Sequence, residues 1–195
     1  MNKKIKTGVF SGSFNPIHQG HLILAHYMAE FCNLDEMWFV VTPHNPLKQS
    51  DDLLNDQTRL EMTRLAVEGY DKLKVSDVEF SMPKPSYTID TLEKLSRDYP
   101  DREFVLIIGA DNWLLFDQWR HYEDLIRNYK ILVYPRLGFS VEIEDKYKKS
   151  VSMVNAPVIE LSSTFVRESI RNGKCVKAFL PEETYLYIKK HRLYQ

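Results

Sequence analysis

The stretch Ile5-Lys-Thr-Gly-Val-Phe10-Ser-Gly12-Ser-Phe14-Asn-Pro16-Ile-His18-Gln-Gly20-His21-Leu22 decides the fold. Its apolar start, Ile5 to Phe10, reads as a strand, and Ser11 to Pro16 as the loop that ends it. Leu22 to Phe31 then carries apolar residues at helical spacing. Strand, glycine-bearing loop and helix follow one another within 27 residues.

The alternation continues along the chain. Met37 to Thr42 (MWFVVT), Phe104 to Ile108 (FVLII) and Lys130 to Tyr134 (KILVY) are nearly all apolar, as strands buried on both faces of a parallel sheet are. Leu73 to Val78 is a weaker strand, and Pro157 to Leu161 reads as the last. Helical spacing marks Thr58 to Val67 and Ile89 to Tyr99. It returns in Thr164 to Arg171, closed by Asn172-Gly173, and in Glu182 to Lys190. Gly138 to Ser150 is charged and weakly patterned, as a surface excursion would be. The expected fold is a doubly wound α/β parallel sheet, a single domain over 1–195 with its helical C-terminal part at about 163–195. Ligands of such sheets bind beyond the carboxyl ends of the strands, where strand order reverses.

The bulk composition excludes several classes. A net charge of −1 with 27% charged residues is no nucleic-acid-coating surface. Cys32 and Cys175 give neither a metal cluster nor a disulfide framework. The apolar run after the basic Met1 to Lys6 is too short for a signal-peptide core. No apolar run approaches the ~20 residues that span a bilayer. The cytosol is the expected compartment, with no membrane and no nucleic acid as partner.

Two loops carry chemistry. In the first, a helix opens right after a strand, and its unpaired N–H groups and partial positive charge suit a phosphate. Gly12 and Gly20 admit close backbone approach. His18 and His21, three apart, project from one side of the first turn and can donate hydrogen bonds to a phosphate under attack. Zinc ligation or a purely structural role are the alternatives for this pair. The dinucleotide G-x-G-x-x-G and the G-x-x-x-x-G-K-S/T phosphate loop are both absent. In the second, Leu161-Ser162-Ser163-Thr164-Phe-Val-Arg167 offers three hydroxyls and, a turn later, a guanidinium. These could grip a polyphosphate or simply cap a helix.

The first loop resembles the G-x-F-x-P-x-H-x-G-H signature of nucleotidyltransferases that transfer a nucleoside monophosphate from a triphosphate. Gly12, Phe14, Pro16, His18, Gly20 and His21 fill every fixed position. Asn15 stands where many relatives have Asp, at a position read as structural. The second loop resembles that superfamily's I-S-S-T-x-x-R, with Leu161 for Ile. Further segments are similar to the bacterial nicotinate-nucleotide adenylyltransferases: Pro43-His44-Asn45-Pro46-Leu47-Lys48, a departure from Pro-Pro-His-Lys; Ser86-Tyr87-Thr88-Ile89-Asp90-Thr91-Leu92; Gly109-Ala110-Asp111 with Trp119; Tyr134-Pro135-Arg136; and the closing Leu193-Tyr194.

This resemblance implies a Rossmann-like nucleotidyltransferase fold and transfer of AMP from ATP to nicotinate mononucleotide. It implies His18 and His21 as catalytic donors. Gly12, Ser13, Phe14, Gly20, Gly109, Asp111, Ser162, Ser163, Thr164 and Arg167 would bind ATP. His44, Lys48, Tyr87, Thr88, Trp119 and Arg136 would bind the mononucleotide. On bare sequence Asp111 could equally cap a helix, Trp119 could pack in the core, and Tyr87 and Thr88 could start a helix; Trp113 to Phe116 reads as core. The attacking phosphate is already anionic, so no general base is expected. Mg²⁺ is expected to enter with ATP, held by phosphates and water. A relative preferring nicotinamide mononucleotide, or a non-catalytic nucleotide sensor, are the rival readings.

Overall fold

The computed structural model describes residues 3–43 and 53–195. Six strands form one parallel sheet: β1 (Ile5–Gly12), β2 (Glu36–Val41), β3 (Leu73–Ser76), β4 (Arg102–Gly109), β5 (Lys130–Tyr134) and β6 (Val151–Met153). Their order is β3-β2-β1-β4-β5-β6. The chain winds outward from β1 to β3, then returns to lay β4 on the other side of β1. The order reverses there, between β1 and β4, with Val9 opposite Leu106.

Helices cover both faces, as buried parallel strands require. On one face α1 (Gln19–Phe31), α2 (Asp56–Val67) and α7 (Glu182–His191) pack through Leu22, Met28, Leu60, Met62 and Ile188 against Phe10, Met37 and Phe39. On the other, α3 (Thr88–Asp98) and α5 (Tyr122–Asn128) pack through Ile89, Leu92, Leu95 and Leu125 against Val9, Val40, Leu106 and Ile108. The one-turn α4 (Ala110–Trp113) follows β4 directly, and α6 (Ser163–Arg171) opens at the Ser-Ser-Thr loop. No helix among the described residues is long and apolar enough to cross a membrane.

Three expectations need correction. The last strand is Val151–Met153, and Pro157 to Leu161 adds no strand to the sheet. Pro157 has no N–H for a ladder, and the alternation of Pro157, Ile159 and Leu161 instead lines a cleft. The charged residues before Val151 had concealed the true strand. The Gly138 to Ser150 segment is not mere surface, since Ile143 is buried and Val141 and Tyr147 pack on the second core. Within Trp113 to Phe116, only Phe116 is buried, while Leu114 and Leu115 are about half exposed.

Candidate active site

The site is built where the strand order reverses. β1 ends at Gly12, and Phe14 turns the chain through the left-handed region at φ 45°. That conformation is uncommon for a bulky residue. Phe14 is nonetheless fixed by burial, its ring meeting the rings of Phe10, Phe39 and His21 edge-on. Asn15 is buried beneath the loop. Its side-chain oxygen accepts from the Tyr194 hydroxyl at 2.8 Å, and its carbonyl accepts from Arg167 Nη1 at 2.9 Å. The position is structural, as its place in the motif suggested.

His18 caps α1, and His21 lies one turn in. The His18 backbone N–H donates to His21 Nδ1 at 3.2 Å. An acceptor nitrogen carries no proton, so the neutral His21 ring holds its hydrogen on Nε2. The two rings stack with centroids 3.6 Å apart. Burial, reinforced by the Arg136 guanidinium, lowers the His18 pKa to about 4. His21 is also held well below its ordinary value, by burial, then His18, then Arg136. Both imidazoles are therefore neutral at pH 7 and offer N–H donors rather than fixed charge. Gly20 is needed beside them: a Cβ there would stand 3.1 Å from His18 Nδ1 and 3.4 Å from Ile159.

The Ser-Ser-Thr loop meets this motif directly. Ser162 Oγ caps α6 by accepting from the Phe165 N–H at 3.1 Å. Ser163 Oγ donates to the Pro16 carbonyl at 2.8 Å. Arg167 Nη2 also reaches Thr164 Oγ1 at 3.4 Å. The capping alternative thus holds for Ser162, and it leaves Ser163, Thr164 and Arg167 on a cleft wall.

Three clefts adjoin. One of about 400 Å³ is lined by Gly12, Ser13, Phe14, His18, Gly20, His21, Thr88, Gly109, Trp119, Arg136, Ser162 and Ser163. The second, about 440 Å³, shares Gly12, Ser13, Thr88 and Ser163 with it and adds Thr42, Pro43, Glu79, Thr164 and Arg167. The third shares Arg136 and Ser162 with the first and adds Asp111. Asp111 does not cap α4, whose cap position is Gly109; its Oδ1 instead lies 3.4 Å from Arg136 Nε. Trp119 rests on Phe116, centroids 5.1 Å apart, and also borders the first cleft. Tyr87 lines none of the three. Its ring is part-exposed, with the Arg120 guanidinium 4.6 Å above it. His44 and Lys48 lie outside the described residues.

Two buried residues escaped the sequence. Arg59 is fully buried and donates to the carbonyls of Ser13, Thr42 at 2.8 Å and Leu54 at 3.0 Å, while pairing with Asp56 at 2.6 Å. It clamps the β1 loop to the β2 loop. Glu79 is buried and accepts from Ser86 Oγ and Thr91 Oγ1. Each carries an ordinary surface residue's letter. Only their position, inward on α2 for Arg59 and just ahead of the Ser-Tyr-Thr segment for Glu79, could have marked them.

The fold and the helix-start histidine pair facing a hydroxyl-and-arginine loop together define a nucleotidyltransferase. Residues 9–169 match the family model described as cytidylyltransferase-like. A probable nicotinate-nucleotide adenylyltransferase of Bacteroides fragilis is 54% identical over 93% of this chain and 90% of its own length. Its namesake in Flavobacterium johnsoniae is 48% identical over 98% of this chain and 100% of its own. The solved Plasmodium falciparum nicotinic acid mononucleotide adenylyltransferase, complexed with NaAD, is 21% identical. It superposes with a TM-score of 0.79 over 97% of both chains, a likeness of fold. This chain belongs to the cytidylyltransferase-like family and, within it, to the nicotinate-nucleotide adenylyltransferases.

Proposed function

We propose that this chain, acting in the cytosol, joins the AMP part of ATP to nicotinate mononucleotide. The products are pyrophosphate and nicotinate adenine dinucleotide, the deamido precursor of NAD. Family membership supports the reaction. The observation that carries the residue roles is the neutral, stacked His18–His21 pair on the same cleft as Ser163.

An oxygen of the mononucleotide's 5′-phosphate attacks the α-phosphorus of ATP. The bond from that phosphorus to the β-bridging oxygen breaks, and its electrons leave with pyrophosphate. The nucleophile is anionic already, so positioning and charge stabilisation supply the acceleration. His21 Nε2–H and the His18 ring donate to the α-phosphate oxygens as charge shifts towards the leaving group. Ser162, Ser163, Thr164 and Arg167 hold the β- and γ-phosphates, with Arg167 offering a planar fork of donors. Asp111 accepts from the ribose hydroxyls. Trp119 and the first turn of α3 receive the pyridine ring and its carboxylate.

Among the described residues no group of three or more His, Cys, Asp or Glu is placed to hold a metal. The cleft's donors suit phosphate oxygens instead. Mg²⁺ would enter with ATP, held by phosphates and water rather than by a protein cluster, and would supply neutralisation of the phosphate charge. The test is pyrophosphate release with ATP, Mg²⁺ and a panel of acceptors: nicotinate mononucleotide, nicotinamide mononucleotide, phosphopantetheine and choline phosphate. Release should be fastest with the first and should stop with chelator. Release equal across the panel would overturn the assignment.

A further inference from the structure

Glu79 sits in a short 3-10 turn, Val78–Ser81, and is only 3% exposed. A carboxyl group is costly to bury unless it is paired or neutral. Among the described residues both its hydrogen-bond partners are neutral hydroxyls, Ser86 Oγ at 2.7 Å from Oε2 and Thr91 Oγ1 at 2.9 Å from Oε1. The two partners bracket Tyr87 and Thr88, so the carboxyl group spans the start of α3. It also borders the second cleft together with Ser86, Thr88, Ser163 and Arg167.

Thr91 Oγ1 has one proton but two acceptors in reach, Glu79 Oε1 and the Tyr87 carbonyl at 3.2 Å. The shorter contact is the one to Glu79, so Thr91 and Ser86 each donate to one carboxylate oxygen. Burial pushes the Glu79 pKa upward, against the two hydroxyls that lower it. The Tyr87 carbonyl also accepts the Thr91 N–H at 3.0 Å and is thereby turned into the helix. The first N–H groups of α3, without intrahelical partners, are left for a ligand.

We propose that Glu79 is the positioning residue of the acceptor site: by locking Ser86 and Thr91 it fixes the first turn of α3 that receives the ring's carboxylate. The proposal rests on the assignment of residues 86–88 to the acceptor, and the experiment separates the two.

Steady-state kinetics would be measured for Glu79→Gln, Glu79→Ala, Thr91→Val and Trp119→Ala, varying each substrate in turn. A Gln amide can donate to Thr91 and accept from Ser86, so Glu79→Gln should stay within about twofold of wild type. Glu79→Ala should raise the KM for nicotinate mononucleotide roughly tenfold, with the KM for ATP within twofold, from two lost hydrogen bonds. Thr91→Val should move in the same direction and keeps the test decisive if Glu79→Ala fails to fold. A Glu79→Gln enzyme as impaired as Glu79→Ala would overturn positioning through these two hydrogen bonds. Unchanged acceptor KM in Glu79→Ala, with Trp119→Ala still raising it, would overturn positioning by Glu79 while the acceptor site stands. A rise in the KM for ATP alone would overturn the assignment of residues 86–88 itself.

Discussion

His21 lies flat against His18, planes 20° from parallel, and accepts the His18 backbone N–H on Nδ1. The backbone contact sets the tautomer. Burial, reinforced by Arg136 at both rings and by His18 at His21, keeps both neutral. His21 is thereby held as an oriented Nε2–H donor, with Phe14 packed edge-on at 5.2 Å to keep the ring in place.

Replacing His21 with Ala should therefore lower kcat by about two to three orders of magnitude, the usual loss for one transition-state donor. ATP affinity should fall far less, because the donor matters most as charge moves. Rapid-quench turnover and equilibrium ATP binding measure the two separately. A variant that keeps half its turnover would remove His21 from the mechanism.

The same neutral state makes stability depend on pH. His18 titrates at about 4 in the folded chain against an ordinary 6.5. Between those values the unfolded chain binds the extra proton, so stability should fall as pH drops from 6.5 towards 4 and should not respond to this group above 6.5. At about 1.4 kcal/mol per pH unit of displacement, His18 alone accounts for roughly 3 kcal/mol. Urea unfolding at pH 7 and pH 4.5 checks this. His18→Gln should lose less on acidification than wild type, and an equal loss would show that His18 is not buried neutral.

The parallel sheet was legible because its strands are apolar on both faces. The first chemical loop was legible because it follows a strand, and the second through its own hydroxyls and arginine, since no strand directly precedes it. The sequence misled where those signals break. Pro157, Ile159 and Leu161 alternate as a strand would, but a proline without an N–H and a cleft to line take them out of the sheet. Val151–Met153 offers one buried residue in three, too little to show against its charged approach. α5 is seven residues long with only Leu125 fully inward. Asp111 read as a ribose acceptor or, alternatively, a helix cap; it is not the cap, and it faces Arg136 across 25 residues, a pairing that no local pattern reveals. Arg59 is the hardest case, since its meaning lies wholly in the carbonyls it reaches.

Those carbonyls make Arg59 a stability prediction. Arg59→Lys keeps the charge but cannot serve Ser13, Thr42, Leu54 and Asp56 together, since its ammonium is a single point rather than a fork. Each buried carbonyl left unpaired costs about 1–3 kcal/mol. Arg59→Lys should thus lose at least about 2 kcal/mol in denaturant unfolding, and Arg59→Met more. Turnover should fall as well, because the Ser13 loop carries the histidine motif. A destabilisation under about 0.5 kcal/mol would mean that the loops hold each other without the clamp.

Acceptor choice is the most direct test of the function. Nicotinate and nicotinamide mononucleotides differ by a carboxylate against a carboxamide of nearly the same shape, so polarity must separate them. Thr88, the first residue of α3, lines both clefts, and the N–H groups of a helix's first turn have no intrahelical partner. A carboxylate accepts from all of these, while the amide's NH₂ would face donors and lose at least one pairing. That loss costs about 1–3 kcal/mol, or roughly one to two decades in specificity, and charge-assisted bonds to the acid widen the gap. The kcat/KM for the acid should exceed that for the amide by at least tenfold at equal ATP and Mg²⁺. Trp119→Ala should weaken both acceptors alike, because an indole face stacks on the pyridine ring whatever its substituent. Equal kcat/KM for the two acceptors would show that the first turn of α3 does not read the carboxylate. A Trp119→Ala enzyme that lost only the acid would show that the indole touches the substituent rather than the ring.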